Sequence, residues 1–330
     1  MTVPQAGGKA LVGSPSGLIE HDVVLASAGL PRVAVLGMGR MGGAMAKRLR
    51  EKGFPVAVYN RNADRAREVA GEIGVAVLDS PAAAGRWVAG DGGSNGAAFG
   101  VVLTSLADDN ACRAVYLGPN GLVSGPGAGT VVCDTSTIDP DTARELAAAV
   151  AERGATMLDS PVSGSVPAAL SGGLTVMVGG PESALENARP VLEAIGRRVV
   201  HVGPSGAGAV VKLAVNNVVH ALNQALSESI VLAEKAGVDR AVFYDVIADS
   251  AAAAPFVGYK RAAFEHPENA PVAFSLDLVA KDLRLILALA ERVGAAMPAA
   301  QAASSAAAEA ISHGFGDSDM SSMARHLRDA

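Results

Sequence analysis

The sequence predicts an α/β fold, a doubly wound parallel sheet followed by a wholly helical region. Three observations predict it. Between residues 32 and 203, short apolar runs of strand type alternate with helix-length stretches, the order of a parallel sheet covered on both faces. The first of these strands runs directly into a glycine-rich turn and then a helix. Beyond residues 200–205 the strand signal stops and Ala-rich helical segments take over. The chain has 330 residues and is 50% hydrophobic, which is enough for two sizeable cores.

Composition excludes several functions. A net charge of −6 without charged blocks, and an aromatic content of 4%, argue against a nucleic-acid surface or a base-stacking platform. No apolar run reaches membrane-spanning length. Cys112 and Cys133 are the only cysteines and have neither CxxC nor metal-ligand spacing. They read as reduced core thiols in a cytoplasmic protein. Residues 1–31 read as a flexible N-terminal extension. Gly7, Gly8, Gly13, Pro15, Ser16 and Gly17 break any periodicity, and the basic start and apolar core of a signal peptide are absent.

The first strand, Arg32 to Leu36, leads into Gly37-Met38-Gly39-Arg40-Met41-Gly42 and a helix that ends near Gly53. A strand, GxGxxG and a helix in that order form the dinucleotide fingerprint of a Rossmann-type sheet. Gly37 permits the tight turn, Gly39 lets the pyrophosphate approach the backbone, and Gly42 lets helix pack closely on strand. The helix N-terminus offers free N–H groups to the phosphates. The second strand, Val56 to Tyr59, ends at Asn60-Arg61-Asn62. NAD enzymes place an acid here to hold the ribose 2′-hydroxyl. A guanidinium instead suits a 2′-phosphate, so NADP(H) is expected, with NAD possible if Arg61 is only a solvated strand-end charge.

The alternation continues in order. A helix is expected over 65–73, a strand over 76–78, and a helix over 80–88 with Ser80 as cap and Pro81 in its first turn. Gly90 to Gly96 reads as a solvated insertion. The strand over 100–106 brings Leu106 and Ala107 to the cofactor edge. A helix over 111–117 and a strand over 129–133 follow, the latter ending at Asp134-Thr135-Ser136-Thr137. A helix over 140–153 and a strand over 156–158 lead to Asp159-Ser160-Pro161-Val162-Ser163-Gly164-Ser165. A strand over 174–178, a helix over 183–195 and a strand over 198–202 close this half. Ligands of such sheets bind beyond the carboxyl ends of the strands. Ser163, Gly164 and Ser165 there could offer hydroxyls and successive N–H groups to a carboxylate, or could be plain turn chemistry.

Residues 204–330 form the helical region. A long helix over 210–236 carries Leu222, Leu226 and Ile230 as a core stripe. Gly206 and Gly208 at its entry let backbone approach a ligand. Lys212 and Asn216, four residues apart, share one face among apolar neighbours. Either a partner satisfies them, or Lys212 exchanges a proton in a site. Further helices are expected over 240–250, 256–264, 276–293 and 298–313, with a break at 251–254, a polar loop carrying Pro267 and Pro271, and a short tail from Gly314 to Arg328. On spacing alone Lys281-Asp282 reads as a solvated ion pair, Phe274 as plain core and His220 as a satisfied core residue. His201, His266 and His313 show no metal-ligand spacing, so no metal is expected. The helical region should close over substrate and carry the contacts of a homodimer or homotetramer.

The motifs Gly37–Gly42, Asp134–Thr137, Pro161–Ser165, Gly206–Lys212 with Asn216, and Lys281-Asp282 together resemble the β-hydroxyacid dehydrogenase family over residues 32 to about 325. Asn60-Arg61 and the tail Gly314–Asp319 are most similar to its glyoxylate/succinic semialdehyde reductase branch. Met38, Arg48 and Asn62 depart from the family's usual residues. The resemblance implies hydride transfer between NADP(H) and a small β-hydroxyacid or a semialdehyde or 2-oxoacid. Lys212 would be the general acid/base and Asn216 its catalytic partner. Thr137, Ser163, Gly164, Ser165, Phe274 and Asp282 would line the substrate pocket, with Thr137 and Lys281 also beside the cofactor. Two enzymes of similar architecture are rivals. Imine reductases commonly carry Asp or Tyr at the position of Lys212. 6-phosphogluconate dehydrogenases usually carry His where Val215 stands. A cofactor-binding protein without turnover is the third rival.

Overall fold

The computed structural model of the chain describes residues 29–90, 100–125, 127, 129–268 and 270–329. The expected extension over 1–31 lies outside the described residues except for its last three, as does the expected insertion over 90–96 except for Gly90.

Six strands follow the fingerprint order: β1 (Val33–Leu36), β2 (Val56–Tyr59), β3 (Ala76–Val77), β4 (Val101–Thr104), β5 (Val131–Asp134) and β6 (Thr156–Asp159). Between them run α1 (Arg40–Glu51), α2 (Ala63–Ile73), α3 (Pro81–Ala89), α4 (Asp109–Leu117) and α5 (Pro140–Ala151). Then come β7 (Val162–Ser163), α6 (Val166–Ser171), β8 (Leu174–Gly179), α7 (Glu182–Ile195) and β9 (Gly196–Gly203). The strand order is 3-2-1-4-5-6-8-7, with β9 paired to β8. β1 is central and pairs in parallel with β2 and β4, Val33 facing Val56 and Val101.

The sheet is mixed rather than wholly parallel. β8 runs antiparallel to β6 and β7. The expected parallel order holds from β1 to β6 and reverses at β8, because the connecting residues 160–173 are divided between β7 and the six-residue α6, a helix too short to carry the chain back across the sheet face. Neither was expected, since Ser163 and Gly164 mask so short a strand. β8 and β9 are parallel again across α7.

Strand side chains alternate between two cores. Val33 and Val35 join Met45, Leu49 and Leu192 on one face; Ala34 and Leu36 join Trp87, Tyr116 and Leu146 on the other. Both faces are dry, which is why these strands read as unbroken apolar runs.

The helical half begins with α8 (Ala207–Lys235), 29 residues long, roughly 44 Å at 1.5 Å per residue. α9 (Arg240–Ala248), α10 (Pro255–Glu265), α11 (Leu276–Val293), α12 (Pro298–Ala310) and α13 (Met323–Asp329) complete it. Leu226, Ile230, Tyr244, Phe264, Leu283 and Met323 share its core. The expected short tail carries helical turns of its own. Asp319 accepts from Ser321 N at 3.1 Å and starts a 3-10 turn, and α13 packs along α8. The last expected helix loses its α geometry after Ala310, passing into a π turn over Ile311–Phe315 in which Gly314 has a φ of 89°.

Candidate active site

A cavity of about 630 Å³ lies beyond the carboxyl ends of β1, β4 and β5, walled on its other side by α8, α10 and α11.

The glycine turn forms one end. Gly37 has a φ of +98°, and a Cβ there would lie 2.2 Å from Ser105 O. A Cβ on Gly42 would lie 1.9 Å from Gly37 O, so only glycine lets α1 pack onto the turn. Gly39 has nothing within 4 Å of a Cβ and faces the cavity. α1 has no side-chain cap, so its first N–H groups are unmatched, and Arg40 and Met41 line the cavity beside them.

Met38 and Gly42 do not line the cavity. Met38 is buried beneath the turn, its N–H donating to Asn60 Oδ1 at 3.0 Å and its carbonyl accepting from Arg65 Nε. Their expected cofactor contacts are corrected to a supporting role. Asn60 and Asn62 border the cavity, and their amides also hold the turn together. Asn60 Nδ2 donates to Asn62 O, and Asn62 Oδ1 caps α2 by accepting from Asp64 N and Arg65 N. Arg40 and Arg61 are exposed, and no hydrogen bond or ion pair to another described residue occupies either guanidinium.

The next wall is the turn after β5. Asp134 is buried; its carboxylate accepts from Ser136 N at 2.7 Å and Tyr116 OH at 3.0 Å. Ser136 Oγ in turn accepts from Leu106 N. Buried Asp134 thus shapes the wall that presents Leu106, Ala107 and Thr137 to the cavity. Ser163, Gly164 and Ser165 line it between β7 and α6. Gly164 has a φ of +139°, a conformation that glycine supplies without strain, and Ser165 makes no side-chain cap bond to α6.

Gly206 and Gly208 serve a different purpose from ligand approach. Asp159 Oδ1 accepts from Gly206 N at 2.8 Å and Oδ2 from Ala209 N at 2.9 Å, which caps α8 from another strand. A Cβ on Gly208 would lie 2.3 Å from Asp159 O and 2.6 Å from Met177 O. Gly208 admits the sheet, Gly206 supplies a φ of +90° at the helix entry, and a carboxylate at the positive end of a helix anchors α8 to the sheet.

From that anchor Lys212, Asn216 and His220 all reach the cavity. No hydrogen bond occupies the Lys212 ammonium among the described residues. Burial lowers its pKa, the Asp282 carboxylate opposes that, and the Lys281 ammonium adds to it; the result is about 8. Asn216 Nδ2 donates to Asp282 Oδ2 at 2.6 Å. Asp282 itself is fully buried behind Asn216 and does not line the cavity, which corrects its expected substrate contact. Burial works to raise its pKa, but His220 and the Lys281 ammonium outweigh that and hold it at about 2. Nor is Lys281-Asp282 a solvated pair. Lys281 Nζ lies 2.9 Å from Asp282 Oδ1 and donates to Thr137 O at 2.8 Å, bridging the two halves.

Phe274 borders the cavity rather than sitting in plain core. Its N–H donates to Asp319, which also accepts Ala273 N and takes buried Lys260 at 2.7 Å. His220 was missed as a site residue. It is 3% exposed, lines the cavity, packs its ring 5.9 Å from Phe274, and has no hydrogen bond to a described residue at either nitrogen. Its spacing, four residues from Asn216 and eight from Lys212, is the signal that would have found it. Away from the cavity, the fold gathers Glu309, His313 and His326 with donor atoms within 4.8 Å of one another, two of the three exposed. Sequence spacing could not show this.

Residues 32–203 match the NAD binding domain of 6-phosphogluconate dehydrogenase, and residues 206–327 match the NAD-binding domain of NADP-dependent 3-hydroxyisobutyrate dehydrogenase. Glyoxylate/succinic semialdehyde reductase 1 of Arabidopsis thaliana is 32% identical over 291 residues, 88% of this chain and 96% of that one. The chain belongs to the β-hydroxyacid dehydrogenase family. Two solved structures resemble this β-hydroxyacid dehydrogenase closely. Mycobacterium tuberculosis 3-hydroxyisobutyrate dehydrogenase with L-serine has a TM-score of 0.77 at 31% identity, covering 91% of this chain and 99% of that one. Psf3 in complex with NADP+ and 2-OPP has a TM-score of 0.79 at 27% identity, covering 89% and 99%. Like its relatives, this β-hydroxyacid dehydrogenase is an NAD(P)-binding oxidoreductase acting on CH–OH groups. Among the described residues no helix is long and apolar enough to cross a membrane.

Proposed function

We propose that this β-hydroxyacid dehydrogenase uses NADP(H) and interconverts a small β-hydroxyacid with its semialdehyde, or a 2-hydroxyacid with its 2-oxoacid, Lys212 carrying the proton. The observation that carries the reading is the Lys212 amine. It faces the cavity unpartnered, with a pKa near 8, beside an amide held in place by Asp282.

The cavity fits a dinucleotide. The uncapped start of α1 and the open face of Gly39 suit the pyrophosphate. The unpaired Arg61, with no acid at the end of β2, suits a 2′-phosphate. The nicotinamide, when bound, supplies or accepts the hydride. In reduction the Lys212 ammonium protonates the carbonyl oxygen as charge develops; in oxidation the neutral amine takes the hydroxyl proton. Asn216 Nδ2 is committed to Asp282, which fixes the amide so that it can hold the same oxygen. Ser163 and the Gly164 N–H take the substrate carboxylate and so orient the carbonyl. The reduced thiols Cys112 and Cys133 suit a cytoplasmic setting. Exposed Val218, Leu232, Val242 and Val246 suit burial against a second copy, which light scattering would show as a dimer or tetramer.

A panel of small aldehydo- and hydroxyacids, each with NADPH/NADP+ and NADH/NAD+, tests the reading through absorbance of the reduced nicotinamide. Carboxylate-bearing members should turn over with NADP(H) in the wild type and lose turnover in Lys212→Met. Turnover that survives K212M refutes it.

A further inference from the structure

His220 helps to hold the Asp282 carboxylate low but touches no substrate atom in the chemistry above, yet it occupies the cavity wall. Lys212, Asn216 and His220 stand four residues apart on one face of α8, roughly 12 Å from first to last along the axis. Lys212 and Asn216 serve the reacting oxygen. His220 lies one turn further into the helical half. Its ring is 3% exposed, with neither nitrogen hydrogen-bonded to a described residue. Nε2 lies 3.5 Å from Asp282 Oδ2, beyond a normal hydrogen bond, and that carboxylate already holds Asn216 and Lys281. A buried imidazole without a hydrogen bond is costly unless a ligand completes it.

The charges around the ring indicate what that ligand is. Lys281 and Asp282 offset each other, Lys260 is paired with Asp319, and Lys212 is the remaining cation on the α8 face. The environment favours a group that accepts hydrogen bonds or bears negative charge over a second ammonium.

We infer that His220 is a substrate-binding residue that reads a second oxygen-bearing group, a hydroxyl or a carboxylate, on the substrate beyond its reacting carbon. This rests on the hydroxyacid reading above and narrows its substrate class. The preferred substrates are 3-hydroxypropanoates with a polar rather than an alkyl substituent at carbon 2, or the matching aldehydes. Phe274, packed on the imidazole, holds the ring so that it can discriminate.

The test compares two matched pairs of 3-hydroxypropanoates with NADP+. At short reach carbon 2 carries a hydroxyl or a methyl; at longer reach it carries a carboxyethyl or an isopentyl group. The wild type should favour the oxygen-bearing member of one pair, which also shows whether the group is a near hydroxyl or a distant carboxylate. His220→Phe keeps a ring against Phe274 and removes both nitrogens. It should cut that preference roughly 10- to 100-fold, chiefly through KM, as expected for loss of a buried hydrogen bond. His220→Gln, which retains a donor and an acceptor, should restore much of it. Equal losses on both members of a pair in H220F, or a wild type that prefers the alkyl members, would overturn the inference and leave the hydroxyacid reading standing. A wild type that turns over no member of the panel, while still binding NADPH in a fluorescence titration, would sink both.

Discussion

Lys212 sets the pH dependence of the reaction. Burial lowers its pKa to about 8, against the pull of Asp282. Reduction needs the ammonium, so its rate should be level below that pKa and fall as pH rises through it. Oxidation needs the amine and should rise through the same range. Profiles of kcat/KM in both directions check this, and two profiles moving the same way would reject Lys212 as the titrating group. Lys212→Met should lower kcat by roughly 10²- to 10⁴-fold while NADPH affinity in a fluorescence titration changes little. Arg61 belongs to the same scale. Because no described side chain competes for its guanidinium, Arg61→Ala should cost NADPH roughly tenfold or more in KM and barely alter NADH. An unchanged NADPH/NADH ratio would remove the 2′-phosphate contact. Asn60 and Asn62 show how one motif divides its labour, two amides building the turn and leaving the cation between them free.

At the scale of elements, glycines of similar appearance do opposite things. Gly39→Ala has room and ordinary backbone angles, φ −69° and ψ −172°, so urea unfolding should shift by less than ~0.5 kcal/mol while NADPH affinity falls. Gly208→Ala places a methyl 2.3 Å from Asp159 O and should cost about 1–3 kcal/mol by overpacking. It should also lower kcat by shifting the start of α8, from which Lys212 projects. The reverse pattern in the two variants would contradict the division between ligand-facing and packing glycines. The strand-turn-helix order around Gly39 was readable because its spacing is local. The role of Gly208 was not, because its neighbours Asp159 and Met177 come from strands remote in sequence.

At the scale of the molecule, two cationic links tie the helical half to the sheet. Lys281 joins Asp282 to Thr137 O, and Arg292 joins Asp139 at 2.8 Å near the surface. Lys281→Met strands a buried carboxylate and should cost about 3 kcal/mol, along with a higher KM from a loosened cavity. Arg292→Ala, at an exposed pair, should cost less than ~1 kcal/mol. Chemical unfolding and steady-state kinetics of both variants check the ranking, and equal losses would contradict it.

The alternation of strands and helices, the cofactor turn and the Lys212–Asn216 face were legible in the chain, because periodicity and short spacings express themselves among near neighbours. The antiparallel β8, the withdrawal of Asp282 behind Asn216, the helical turns of the tail and the placement of His220 were not. Each depends on which distant segments share a cavity or a sheet edge, and hence on which polar groups lose water and which find a partner. Burial and pairing are properties of the packed molecule, so residue types and spacings could nominate Lys212, while only its burial in the packed cavity could lower its pKa to about 8.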